Sequence, residues 1–341
     1  MNMVVRVGLD IAKNVFQVHG VDGRGRACIA KQLKRDDVRR FFAQLPACMV
    51  GLEACGGAHY WARELMKLGH DVRLMAGQFV KPYRKSGKND ANDAEAICEA
   101  VGRPTMRYVP VKSEEAQAVL MTHRARNLLV AGRTALSNQV RGLLTEFGIV
   151  FPKGFATLRK VLARIEAREL KLPELAYETL DDLYTQFREI EARIERYDRQ
   201  IEAIARASEP ARRLMQIDGV GPNTATAVVA SVGDAKAFSN GRQFAAWLGL
   251  TPRQYSSGGQ TRLGGISKRG DVFLRTLLIH GTRTVLLRAG QRQDRKSRWV
   301  VQLRTRRHQN VAAVALAAKH ARIMWAMLAR GTEYRPSPVL A

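Results

Sequence analysis

Two short apolar runs in this chain, residues 4–9 and 49–52, each end on a carboxylate, Asp10 and Glu53. Runs this short and rich in Val and Leu read as buried strands. An ionised acid is costly in an apolar interior, so an acid closing such a strand belongs at the rim of a sheet. Small residues follow, Ala12 after the first and Ala54-Cys55-Gly56-Gly57 after the second, which leaves room above the sheet at that point.

The elements around these runs fix an order. Residues 3–10 form a first strand, 14–21 alternate as a second, Asp22-Gly23-Arg24-Gly25 is a turn, and 27–33 return as a third. A short helix over 36–45 leads to the fourth strand, 49–53. A helix over 58–68 is closed by Gly69, a fifth strand spans 71–75, and after a basic loop a helix runs from 90 to 101 and stops at Gly102-Arg103-Pro104. The sequence β-β-β-α-β-α-β-α is that of an RNase H-like fold, in which the first and fourth strands are neighbours. Asp10 and Glu53 are then expected side by side. Asp90 and Asp93 share one face of the last helix, being three residues apart. Taken singly, Asp90 is equally explained as an N-cap. Together, four acids from three segments can converge on one point, the oxygen-rich environment that divalent ions require.

Those acids stand in a chain of 341 residues with formal net charge +25. The excess is concentrated: residues 251–341 hold 18 Lys and Arg against the three acids Asp271, Asp294 and Glu333. A one-sided patch of this kind is the footprint of nucleic-acid binding, where a merely solvated face mixes both signs. A metal site beside a phosphate backbone points to phosphodiester chemistry. No apolar run approaches the ~20 residues of a membrane span, and the N-terminus reads as a strand without the layout of a signal peptide. The four cysteines, Cys28, Cys48, Cys55 and Cys98, show no zinc spacing. Reduced thiols in a cytoplasmic protein are the expectation.

The remainder reads as helical. Residues 113–147 form a helix carrying Arg124, Arg126, Arg133 and Arg141, one face of which can meet phosphates. Leu180, Leu183, Phe187, Ile190, Ile194, Tyr197, Ile201 and Ile204 follow a 3-4 alternation. That period argues a coiled coil, first of all between protomers, with a hairpin or packing on the chain's own helices as the alternative. Ser208-Glu209-Pro210 breaks this helix. Ile217-Asp218-Gly219-Val220-Gly221 then looks like a helix-hairpin-helix turn whose backbone N–H groups, at Gly219 and Gly221, can hold a phosphate; a tight turn without a ligand is the plainer alternative. Residues 251–260 read as a polar, Gly-rich loop among Arg253, Arg262, Lys268 and Arg269. Ser256, Ser257 and Tyr255 are its candidate nucleophiles. Helices over 271–287 and 311–328 follow, the second with an Ala-rich apolar face that suits a core.

Gly8-Leu9-Asp10-Ile11-Ala12-Lys13, Leu52-Glu53-Ala54, Asn89-Asp90-Ala91-Asn92-Asp93-Ala94, Ile217-Asp218-Gly219-Val220-Gly221 and Gly249-Leu250-Thr251-Pro252-Arg253 occur in this order. Together they resemble the insertion-sequence 110 family of transposases, particularly its 1111-type branch, over nearly the whole chain. The resemblance implies a RuvC-like domain over 1–155 whose DEDD acids fall on Asp10, Glu53, Asp90 and Asp93 and bind Mg²⁺ or Mn²⁺. It implies a helical, coiled-coil segment over 156–208 and a mostly helical transposase domain over 209–341 that supplies a catalytic serine. That serine falls on Ser257, with Ser256 as the neighbouring candidate. Donor and target DNA, a structured guide RNA from the same element and a homodimer or higher homo-oligomer are the implied partners. The competing readings are a junction-resolving metal nuclease that uses water as nucleophile, a non-catalytic nucleic-acid-binding protein, and, remotely, an actin-like or sugar-kinase ATPase, for which a second phosphate loop is missing.

Overall fold

The computed structural model describes residues 3–85, 87 and 89–335, so that Met1, Asn2, two positions of the basic loop and the last six residues lie outside it. The chain comprises two compact units, Met1–Glu114 and Glu115–Ala341.

The first unit is a mixed α/β sheet: β1 (Val4–Ile11), β2 (Val15–Asp22), β3 (Ala27–Lys34), α1 (Val38–Ala43), β4 (Met49–Glu53), α2 (Ala58–Lys67), β5 (Asp71–Met75), α3 (Gly77–Val80), α4 (Asp90–Val101) and β6 (Tyr108–Val109). The strands lie in the order β3-β2-β1-β4-β5-β6. β1 and β4 are parallel neighbours, with Gly8 opposite Gly51 and Leu9 opposite Leu52. Alternation then assigns the faces. Val7, Leu9, Val50 and Leu52 pack with Phe42 of α1 and Trp61 and Leu65 of α2 in one core. Gly8 and Gly51 face the other way, toward α4. The reason for glycine is steric. A Cβ on Gly8 would lie 2.1 Å from the Ala94 carbonyl oxygen and 2.4 Å from the Cys98 nitrogen, and one on Gly51 would lie 2.7 Å from Cβ of Val101. These two glycines let α4 rest directly on the sheet, and the next residues of the same parity are Asp10 and Glu53.

The second unit is mostly helical: α5 (Glu114–Glu146), α6 (Phe155–Glu166), α7 (Glu174–Ala207), α8 (Glu209–Leu214), α9 (Pro222–Val232), α10 (Gly241–Trp247), β7 (Pro252–Ser257), β8 (Gln260–Ile266), α11 (Val272–Arg288), α12 (Arg295–Arg306) and α13 (Gln309–Arg330). α5 and α7 run antiparallel, because Arg126 bonds Asp198 (2.6 Å) while Arg133 bonds Glu191 (3.4 Å). The heptad stripe of α7 is covered within the chain. Leu180 and Phe187 share a core with Leu136, Val140 and Leu144 of α5 and Leu158, Leu162 and Ile165 of α6. Ile194 and Ile201 are buried too. The stripe, expected first of all to pair between protomers, is taken up by packing on the chain's own helices, the alternative reading. The arginines of α5 are drawn into the same packing: Arg126 and Arg133 pair with α7, and the Arg133 guanidinium lies 4.1 Å from the Phe155 ring centroid. Of that set, Arg124 is the exposed one.

Two further expectations change. Most of residues 251–260, expected as a loop, belongs to the antiparallel hairpin β7–β8. The short helices α3 and α10 and the edge strand β6 had not been anticipated, and α6 and α12 lie in stretches expected only to be helical as a whole. α13 is the one helix among the described residues long and apolar enough to cross a membrane. Its Ala317, Ala321, Met324 and Met327 are buried in a core with α8, α9, α10 and α11, in keeping with the expected core role.

Gly8→Ala is expected to lift α4 off the sheet. The measured cost should be about 1–3 kcal/mol of unfolding free energy, as for other overpacked cores, seen as a lower denaturant midpoint of the first unit.

Candidate active site

Asn89 starts α4. Its side-chain oxygen accepts from the Asn92 N–H (2.7 Å), so the cap role belongs to Asn89, and Asp90 is left free of it. One turn before the Gly8 contact, Asp90 and Asp93 stand in the first turn of α4. Asp10, Glu53, Asp90 and Asp93 all line one cavity of about 410 Å³, as do Lys81 and Arg84. The four acids named from the sequence are thus brought together by the sheet register and by the close seat of α4.

Gly77, at the start of α3, completes the geometry. A Cβ there would lie 2.5 Å from Oε1 of Glu53, so glycine makes the space the Glu53 carboxylate occupies. Lys81 and Arg84 come from the basic stretch that follows. Arg84 donates from Nη1 to Oδ1 of Asp93 (3.1 Å), both side chains being about one-quarter exposed. Neither cation was singled out from the sequence, where nothing but a cluster of positive charge between strand and helix marks them.

The electrostatics match the geometry. The Asp10 carboxyl is raised from 3.8 to about 6, first by burial and then by the negative charges of Asp90, Asp93 and Glu53. The Cys55 thiol is also raised, by burial and then by Glu53 and Asp10. Such mutual repulsion is what a bound cation relieves. Among the described residues, no three Asp, Glu, His or Cys side chains stand close enough to hold an ion as placed. One oxygen of Asp93 is engaged by Arg84. The donor chemistry nevertheless fits: four carboxylates on one cavity supply the hard oxygen ligands that Mg²⁺ and Mn²⁺ take.

The serines lie in the second unit, on β7. Gly258 and Gly259, both at positive φ (57° and 79°), form the two-residue turn, a conformation that glycine adopts without strain. Ser256 pairs with Thr261 and Ser257 with Gln260. Alternation separates them. Ser257 shares a face with Tyr255 and Arg253, and Arg262 is the direct partner of Tyr255. Ser256 lies on the opposite face, where its Oγ accepts from Nε2 of Gln254 (2.8 Å). All of β7 is exposed. Arg253, Arg262, Lys268 and Arg269 are exposed as well, and Lys268 adopts a positive φ of 55°.

The turn between α8 and α9 has a packing role of its own. Gly219 has φ +78°, and its missing Cβ would meet the Gly281 carbonyl of α11 at 2.4 Å. Gly221 precedes α9 with nothing facing its Cβ position. Asp218, between helices, binds Arg292 and Lys296 of the same unit, each at 2.7 Å.

An acid-lined cavity on a mixed sheet, joined in one chain to a strongly basic helical unit, defines an enzyme that works on nucleic-acid backbones. Comparison with known proteins gives the particular class. Residues 7–149 match a transposase domain profile of DEDD type, and residues 211–298 match the profile described as transposase IS116/IS110/IS902 family. A "Probable family 20 transposase" of Pseudomonas aeruginosa is 58% identical over 333 residues, covering 97% of this chain and 98% of the relative. The "Transposase for insertion sequence element IS1111A" of Coxiella burnetii is 44% identical over 96% of this chain and 91% of the relative. The "Transposase for insertion sequence element IS1328" of Yersinia enterocolitica is 40% identical over 98% and 99%. The chain belongs to the IS110/IS116/IS902 family of transposases, which catalyse DNA strand transfer. A DEDD transposase domain implies dependence on a divalent metal.

A raised carboxyl carries a stability signature. Folded Asp10 keeps its proton up to about pH 6, whereas the unfolded chain releases it near 3.8, so its unfavourable contribution grows through that window and is constant above it. In a chelating buffer, Asp10→Asn should therefore match wild type in melting temperature below pH 4 and exceed it above pH 6. A difference that is flat across this range would contradict the assignment.

Proposed function

We propose that this transposase cuts and rejoins DNA at an active site built from two parts: the acids Asp10, Glu53, Asp90 and Asp93, which hold Mg²⁺ or Mn²⁺, and a serine nucleophile on the β7–β8 hairpin. The convergence of the four acids on one cavity carries this reading. The strand order, with β1 beside β4, supports a RuvC-like, RNase H-like assignment of the first unit. A bound divalent ion would draw charge from the scissile phosphate and its leaving oxygen.

The remaining chemistry falls to the chain's own residues. The serine Oγ attacks phosphorus and displaces one DNA oxygen, leaving a phosphoserine ester, and the proton given up by the serine ends on the displaced oxygen as a DNA hydroxyl. Attack on that ester by another DNA hydroxyl restores the serine and joins the new strand, with the number of phosphodiester bonds unchanged. Ser257 is the favoured nucleophile because it shares its face with Arg253 and Tyr255, and Arg262 lies opposite. Ser256 is the alternative, its oxygen already engaged by Gln254. Arg253, Arg262, Lys268 and Arg269 would neutralise the phosphate backbone. The turn at Gly219 and Gly221 would add backbone donors in the manner of a helix-hairpin-helix. An element-encoded guide RNA would choose donor and target DNA by base pairing, and the excess positive charge of residues 251–341 supports a second polyanion beside the DNA.

The serine lies about 165 residues beyond Asp90 and Asp93, and farther still from Asp10 and Glu53. A homodimer or larger assembly would let them meet across protomers. With the α7 stripe occupied within the chain, the support for assembly moves to α5, where Met121 and Leu128 are 66% and 74% exposed on one helical face.

Two experiments test this reading. Incubation with element-end DNA and denaturation should leave a covalent protein–DNA adduct that is lost in Ser257→Ala and retained in Ser256→Ala. The reverse pattern moves the nucleophile by one residue, and no adduct in any variant indicates water as nucleophile. Mixing Asp10→Ala with Ser257→Ala, each inactive alone, should restore recombination to roughly a quarter to a half of wild type if the site is shared between protomers. No recovery in mixed oligomers argues for a site within one chain.

A further inference from the structure

Four acids in one cavity need positive charge even before an ion arrives, and two side chains of the first unit supply it. Arg84 binds Asp93 at 3.1 Å, and Lys81 lines the same cavity. The backbone fixes Arg84 in place: its N–H donates to the Lys81 carbonyl at the end of a 3-10 turn (Lys81–Tyr83) that follows α3. The pair is half-buried, about one-quarter exposed on each side, so its attraction is weakly screened. Asp93 has a second claim on it, as a ligand in the reading proposed above. A carboxylate oxygen held by a guanidinium is not free for a divalent ion, so the two cations compete for it.

From this we infer that Arg84 is an exchanging cation: it holds Asp93 while the cavity contains no ion, gives Asp93 up when a divalent ion enters, and then turns its guanidinium to a non-bridging oxygen of the DNA phosphate. Arginine suits both states. Its planar fork matches carboxylate and phosphate alike, and its charge persists at all working pH values. The exchange leaves the acid cluster with a cation on Asp93 at each stage. Without it, an acid cluster of this kind would repel the phosphate it has to receive. Arg84 is in this sense a positioning residue for Asp93 in one state and a phosphate contact in the other.

This inference rests on the acids binding a divalent ion, and the test separates the two. Mn²⁺ binding to the full chain without DNA is followed by electron paramagnetic resonance for wild type, Arg84→Gln, Arg84→Lys and Asp10→Asn. If wild type binds no more Mn²⁺ than Asp10→Asn, the metal reading itself fails. If it does, Arg84→Gln should bind Mn²⁺ tighter, on the order of two- to fivefold, the range expected for losing one partly exposed ion-pair competitor. Arg84→Lys, which keeps the charge, should stay near wild type. Unchanged or weaker Mn²⁺ binding by Arg84→Gln would overturn the exchange, because an arginine that merely orients Asp93 for the ion predicts weaker binding. The second half is read from the affinity for a labelled DNA duplex in chelator and in Ca²⁺. In Ca²⁺ the affinity of Arg84→Gln should fall below that of wild type by a comparable factor, although this variant holds the metal at least as tightly; an affinity in Ca²⁺ equal to wild type would refute the phosphate contact. Melting temperatures in chelator check that each variant is folded.

Discussion

The contact on which the first unit depends is the backbone-to-backbone approach of α4 to β1 at Gly8. With the Ala94 carbonyl 2.1 Å from where a Cβ would be, no other residue fits without moving the helix. The consequence is positional. α4 lies close enough to the sheet for its first turn to reach over the ends of β1 and β4, and Asp90 and Asp93 are in that turn. Gly51 repeats the device against Val101, so the helix is held at two points along its length. Gly77 does a related task at smaller scale by leaving space for Glu53. Three missing side chains thus set the positions of four charged ones.

Much of this was legible in the sequence, for a physical reason. Strands buried on both faces print their lengths as apolar runs, and parity then fixes which residues share a face. Asp10 and Glu53 follow from that rule alone. The hairpin shows where the rule fails. β7 and β8 are exposed almost throughout, so neither face imposes an apolar alternation, and Ser-Ser-Gly-Gly reads as a loop although Gly-Gly suits a two-residue turn. The α7 stripe shows a different limit. Its period reports that one face is buried, and that holds, but period carries no information about which surface buries it. The partner was present in Leu158, Leu162 and Ile165, a 3-4 pattern on α6. Arg84 was illegible because a salt bridge between a turn and a helix leaves no spacing signature.

The arginines of α5 illustrate the cost of reading charge without structure. Arg126, Arg133 and Arg141 contribute to a basic count, yet the first two are paired with acids of α7, and Arg141 donates to Ser137 and Asn138 on its own helix. Cations committed in this way do little for a phosphate backbone. The cations of residues 251–269 differ in having no carboxylate within ion-pair distance among the described residues, and they lie beside exposed hydroxyls. Net charge therefore overstates the binding surface, and its free part is concentrated in the second unit.

That division of charge has a consequence for the order of events. The field of a +25 chain draws polyanions from a distance of several ångströms, within the screening length of physiological salt. Within the acid cavity the local sign is reversed, and a phosphate approaching Asp10, Glu53, Asp90 and Asp93 meets repulsion that the distant cations cannot offset. On the proposed function, attraction to the chain and admission to the cavity are separate steps with opposite electrostatics. Whatever neutralises the acids must favour the phosphate, and by reciprocity the phosphate must favour the neutralising cation by the same factor. On the proposed function, the cavity accepts the cation and disfavours phosphate without it, so that backbone held elsewhere on the basic surface is not attacked merely for being nearby.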